Sequence, residues 1–286
     1  MVSRNIIDAI IDIVTNNQYD IHAYSIANNR ANAAGDALED YIKDAFAGAI
    51  NITDLDERDK ILERCFSYLG NTNNPPDIMI KGGDAIEVKK ISNKTSGLAL
   101  NSSYPKAKLF ADSRLINQAC RDCEQWREKD MIYAIGVVNN NKLDAIMLIY
   151  GEDFCADKEV YERVYSAIQS GVRVIPDIEF SETSELGRVN RIDPLGITYL
   201  RMRGMWHIEN PFKIFSRYIE LQDADFNLVA IINEEKYNTL PNRVRLEELT
   251  SHIQNLSISD VTIKDPNNPA RLKQAKVISY AYSIAN

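Results

Sequence analysis

The stretch from Asn73 to Ile91, NNPPDIMIKGGDAIEVKKI, constrains this chain more than any other. Two short apolar runs flank Gly82-Gly83, and a glycine pair supplies the positive φ that a tight hairpin turn demands. The spacing predicts strand, turn, strand. Side chains on a strand alternate between faces, so Glu87 and Lys89 project from one face while Val88 packs into the core behind them. With the register set by the turn, Asp77 falls near the far end of the partner strand, close to Glu87. Two carboxylates and one amine then converge. Burying such groups costs free energy unless they are paired with one another or with a metal.

That trio suits phosphodiester hydrolysis. Mg2+ takes hard oxygen ligands and keeps several waters, so the expected ligands are Asp77, Glu87 and the backbone carbonyl of Val88. Lys89 would orient the attacking water and stabilise negative charge in the transition state. An ExK triplet by itself also occurs on exposed edge strands with alternating charges. Pro76-Asp77 at hairpin distance and the apolar run leading into Glu87 favour the site. A further carboxylate is available from the helix GDALEDYIKDAF, where Glu39 shares a face with Asp36, Ile42 and Lys43; a solvated helix face explains it equally well.

Elsewhere the pattern alternates helix and strand. Residues 3–17 and 31–49 carry apolar residues at helical spacing. SRLINQACRDCEQWREK reads as a helix, and DMIYAIGVVNNNKLDAIMLIYG as two strands around Asn139-Asn140-Asn141. Residues 158–170 are expected as helix, 171–180 as strand, and 196–203 as an alternating strand. The tail holds a polar helix near 244–256 and the strands VTIK and VISYAYSI. With 286 residues, 45% of them hydrophobic, and no repeat or long linker, one elaborated α/β domain over 1–286 is the simplest reading. Asp8 and Asp12 interrupt the apolar start as no signal-peptide core would tolerate, and no apolar run approaches the roughly 20 residues that cross a bilayer. A cytoplasmic protein is expected.

Cys65, Cys120, Cys123 and Cys155 are too scattered for a disulfide framework, and no second ligand pair accompanies Cys120 and Cys123 to build a zinc site. The three histidines, His22, His207 and His252, form no cluster; His207 reads as packing or a DNA contact. A net charge of -8 argues against a nucleic-acid partner until its distribution is considered. Lys89 to Lys108 contains five basic residues and no acid, and Gly187 to Arg217 six against Asp193 and Glu209. Either stretch alone is ordinary solvated surface. Both flanking a hydrolytic centre would make a phosphate-binding cleft.

PPDIMIKGGDAIEVKK resembles the PD-(D/E)XK nuclease signature. With NNRANAAGDALEDYIKD, FSYLGNTNNPPD, LALNSSYPKAKL, ACRDCEQWREKD and DPLGITYLRMRGMWHIENP, the chain is similar over about residues 25–217 to the NgoPII-type type II restriction endonucleases. The tail, about 218–286, resembles them less and is read as a C-terminal elaboration. The resemblance implies a restriction-endonuclease-like core, a mixed central sheet flanked by helices, with Asp77, Glu87 and Lys89 as motif residues and Glu39 as accessory ligand. It also implies a Mg2+-dependent homodimer that cuts both strands of duplex DNA at GGCC in a prokaryotic cytoplasm. A cognate methyltransferase would protect host sites without binding this chain. Guanine presents O6 and N7 to a bidentate guanidinium, which makes Arg188, Arg191, Arg201 and Arg203 candidates for base readout. Asn101, Ser102, Ser103, Lys106 and Lys108 are candidates for phosphate contacts. Two alternatives stand beside this reading: a structure-selective nuclease of repair or recombination, and a non-catalytic DNA-binding module of the same fold.

Overall fold

The computed structural model describes residues 3–21, 33–71, 74–140 and 142–284. His22, Asn141 of the expected turn, and the first residues of the NNRANAAGDALEDYIKD stretch lie outside them. Helix α1 (Ile6–Asn16) opens on Asn5, whose side chain accepts from the Ile7 N–H while Asp8 accepts from the Asn5 N–H, satisfying two otherwise orphaned donors. Helix α2 (Ala33–Ala47) and α3 (Leu55–Cys65) follow. Leu38, Tyr41, Ile42, Ala45 and Phe46 of α2 are buried beside Ile6, Ile10 and Ile13 of α1, forming one helical layer.

Behind that layer stands a nine-stranded mixed sheet. Strands β1 (Phe66–Asn71), β2 (Asn74–Ile80) and β3 (Ala85–Ile91) form an antiparallel meander at one edge. β3 continues in parallel with β6 (Glu128–Asn139), which turns back into β7 (Lys142–Tyr150). The short β5 (Lys108–Phe110) adds to β6, while β4 (Leu98–Asn101) leaves the sheet. Gly136 in β6 allows close approach of the helical layer: a Cβ there would sit 2.6 Å from a Leu38 methyl.

Several expectations need correction. SRLINQACRDCEQWREK is helical only over α4 (Gln118–Asp122), because Glu128 to Asp130 are claimed by the ladder with β5. After the small helix α5 (Gly151–Phe154), α6 runs from Lys158 to Arg173, and 171–180 contains no strand; only Phe180 bridges to Val189. In 196–203 the strand is confined to β9 (Leu200–Met202), paired with β8 (Gly187–Val189), and β10 (Trp206–Ile208) pairs instead with β4. After α7 (Pro211–Ile214) comes β11 (Phe226–Asn233), which the sequence reading passed over. All eight of its residues are buried, so the period-2 signal of a half-exposed strand is absent. β11 lies parallel to β7 and antiparallel to β13 (Leu272–Tyr282), with β12 (Leu256–Lys264) outermost. The polar tail helix is α9 (Arg243–Leu249), shorter than expected, after α8 (Glu234–Thr239). The tail thus supplies three strands of the sheet itself.

Candidate active site

The hairpin is built as its sequence demands. Gly82 takes φ +61°. Buried Lys129 donates to the Ile80 carbonyl at 3.1 Å and the Gly83 carbonyl at 2.6 Å, which ties the turn to β6. Ile78 stands opposite Ile86 and Met79 opposite Ala85, so one further step brings Asp77 opposite Glu87. There the Asp77 Oδ2 accepts the Val88 N–H at 2.7 Å. Ile86 and Val88 pack into the cluster formed with α1 and α2, while Glu87 and Lys89 look out of the other face, beside Tyr133 and Ile135 of β6. Lys89 Nζ donates to Glu87 Oε1 at 2.6 Å.

The electrostatics of this corner follow from burial. Loss of hydration, then repulsion from Glu87, pushes the Asp77 carboxyl well above the usual carboxylate range; Lys89 and the Val88 N–H oppose that shift, and Glu39 adds to it. Burial works to lower the Lys89 ammonium, but Glu87, Asp77 and Glu39 together outweigh it and raise it. Glu87 Oε2 is buried with no hydrogen-bond partner. Glu39 pairs with Lys43 at 2.8 Å and reaches the centre through its field alone. Among the described residues, no group of three or more His, Cys, Asp or Glu side chains is arranged to hold a metal ion. Two half-buried carboxyl groups beside one lysine, with one oxygen orphaned, nevertheless crowd more negative charge than the corner can balance, and burial together with that crowding is why Asp77 holds its proton. That donor set fits a hard divalent cation completed by water and phosphate oxygens.

Asp77, Glu87 and Lys89 open into a groove of about 2030 Å³. Asn101, Ser102, Ser103, Lys106 and Lys108, from the end of β4 through the start of β5, line it as well. Pairing of β10 with β4, Trp206 against Asn101, brings the second basic stretch to the same place. Its arginines divide. Arg203 lines the groove, whereas Arg188, Arg191 and Arg201 are not among its walls. Arg201 and Arg203 both pair with Glu185, and Arg188 donates to Asn190 Oδ1 at 3.0 Å with its guanidinium over the Tyr199 ring. Lys108 pairs with Glu128 at 2.9 Å. His207 is exposed on β10.

Lys106 differs from an ordinary phosphate contact. It is buried, its Nζ donates to Ser103 Oγ and the Tyr104 carbonyl, and its N–H donates to the Tyr133 hydroxyl at 2.8 Å. Burial and the neighbouring Lys89 lower its pKa to about 8 against the opposing pull of Glu87. Sequence reading also missed the groove's far walls: Glu162, Gln169 and Arg173 of α6, and Asn233, Arg271 and Lys273 from the tail. Only Arg173, Arg271 and Lys273 carried a positive charge, and nothing in the linear order brings them near Asp77.

A mixed central sheet with helices against it is compatible with a restriction-endonuclease-like core, and the acid, acid and lysine corner opens into its broad groove. The model of the NgoPII restriction endonuclease family matches residues 4–264. Over 280 residues the chain is 52% identical to the Type II restriction enzyme NgoPII of Neisseria gonorrhoeae, covering 96% of this chain and 99% of that protein. The chain therefore belongs to the NgoPII restriction endonuclease family. No solved structure matches it.

Proposed function

We propose that this restriction endonuclease hydrolyses both strands of duplex DNA at the palindrome GGCC, as a homodimer with Mg2+ as cofactor. The observation that carries the reading is the convergence of Asp77, Glu87 and Lys89 on one corner of a groove lined by Lys106, Lys108 and Arg203. Asp77 and Glu87 would hold the ion, with the Val88 carbonyl as a further ligand and Glu39 as an accessory one. Bound there, the ion would supply positive charge against the charge developing on the phosphate and would lower the pKa of a coordinated water. Lys89, fixed by Glu87, orients that water and stabilises charge on the phosphate. The serine and asparagine side chains at 101–103 and the ammonium of Lys108 hold the backbone in register.

Arg203 is the arginine we assign to guanine, after exchange of Glu185 for the O6 and N7 acceptors. Arg188, Arg191 and Arg201 remain candidates for DNA that extends past the groove's rim. A partner methyltransferase would act on the same site without contacting this chain, and the prokaryotic cytoplasm is where both meet DNA. No helix among the described residues is long and apolar enough to cross a membrane. The decisive experiment incubates the purified protein with plasmid and Mg2+ and sequences the ends. Discrete fragments sharing GGCC at the cut support the proposal; a ladder without a common end sequence would assign the fold to structure-selective cleavage instead, and no cleavage to a binding module.

A further inference from the structure

Helix α6 packs only part of its apolar side against its own chain: Tyr161 stacks on Tyr104 and stands edge-on to Trp206, and Tyr165 and Val172 are half-buried. Its sequence, KEVYERVYSAIQSGVR, is strongly amphipathic, with Val160, Val164 and Ile168 on one stripe and Glu162, Ser166, Gln169 and Arg173 opposite. Ordinarily the apolar stripe is buried and the polar face meets water. Here the polar face lines the groove, Glu162, Gln169 and Arg173 all being among its walls. Beside the half-buried Tyr161, Tyr165 and Val172, the stripe of Val160, Val164 and Ile168 is left facing outward, and no residue of the 16-residue helix is fully buried. Val160, Val164 and Ile168 are 43%, 41% and 48% exposed.

Two further observations mark that face as open. An added Cβ at Gly171, on the same stripe as Val164, meets no atom within 4 Å. Exposed apolar side chains continue past the helix end in Val174 and Ile175. Contiguous apolar surface of this kind marks an interaction site. DNA is a poor occupant of this stripe, since aliphatic side chains offer phosphate nothing, whereas Glu162, Gln169 and Arg173 lie on the groove side.

We propose that the outward face of α6 is the surface on which a second copy of this chain docks, the two α6 helices packing against each other about a twofold axis. The inference rests on the proposed cleavage of both strands, which asks for two centres related by the symmetry of the palindrome. It goes beyond that reading by naming the surface. Self-pairing suits the stripe: Ala167 and Gly171, one turn apart, let two backbones approach while Val164 and Ile168 of each copy interlock. A 16-residue helix is about 24 Å long, so its stripe contributes several hundred Å². The segment after it extends the patch toward the roughly 800 Å² per partner of a stable interface. Because the other side of α6 is groove wall, this packing sets the two grooves on either side of one helical seam.

The test is sedimentation velocity on the full chain, alone and with duplex DNA in EDTA, beside a plasmid assay in Mg2+. Wild type is expected to sediment at twice the chain mass. The double variant Val164→Glu, Ile168→Glu is expected at the mass of one chain, with unchanged circular dichroism and with nicked rather than linear plasmid as product. Gly171→Arg, placed in open space, should do the same without touching the fold, and Val244→Glu on α9 should leave the dimer intact. Dimers persisting in both α6 variants overturn the surface while leaving the nuclease reading untouched. A wild type that sediments as one chain with and without DNA also overturns it. A dimer lost in the α6 variants, in a protein that cuts no DNA, would keep the interface and sink the nuclease reading.

Discussion

In EDTA, replacing Asp77 by asparagine should change how stability depends on pH, and by an amount the geometry dictates. Burial and the facing Glu87 hold the Asp77 carboxyl well above its ordinary range, so the folded protein keeps a proton that the unfolded chain gives up near pH 4. A raised folded value means the group's contribution is present at low pH and is lost as pH rises toward that value. Over that window the folded state binds one proton more than the unfolded state, and stability falls by about 1.4 kcal/mol per pH unit from this group. Between about pH 5 and pH 7 the wild type should therefore lose about 3 kcal/mol that Asp77→Asn does not lose. Asparagine retains an oxygen to accept the Val88 N–H, so the hydrogen bond at 2.7 Å survives the change. Urea unfolding of both proteins at pH 5, 6 and 7 measures the gap, with m-values checked for constancy. A gap that stays constant across the series would refute the argument. Adding Mg2+ should stabilise wild type through linkage and leave Asp77→Asn nearly unmoved.

Other consequences are tested by cleavage rates. Lys89→Ala should lower the rate by roughly 10²-fold or more with little change in DNA affinity, since its charge acts on the transition state. Lys90→Ala should cut near the wild-type rate, because Lys90 is exposed and points to the other face; equal losses in the two would defeat the alternation. Gly70→Ala should cost about 1–3 kcal/mol in stability and more in activity, because its Cβ would meet the Pro76 carbonyl at 2.6 Å and the Asp77 Cα at 2.8 Å. Full cleavage by Gly70→Ala would mean Asp77 tolerates displacement. Arg203→Ala should lose roughly 1–3 kcal/mol of discrimination at one base pair, whereas Arg188→Ala should alter sequence preference little, as competition between GGCC and singly altered sites at two salt concentrations would reveal.

The hairpin was legible because everything that specifies it is local. Gly82-Gly83 defines the turn, period-2 alternation defines the faces, and arithmetic from the turn then puts Asp77 across from Glu87. Helices α1 and α2 were legible for the same reason, a 3.6-residue period read off consecutive residues. Tertiary structure decided the rest. β11 is covered on both faces, so its burial erased the alternation by which a strand is recognised, and only its place between β7 and β13 makes it one. WREK was drawn out of the expected helix as Glu128 and Lys129 joined the ladder with β5, a non-local pairing that outweighs local propensity. The four arginines read alike in the sequence; Glu185 and the course of β8, β9 and β10 leave Arg203 alone of the four on the groove wall. The amphipathicity of α6 was written in its sequence, yet which face would meet the chain's own body was not, because period fixes an angle around a helix axis and only packing fixes where that angle points.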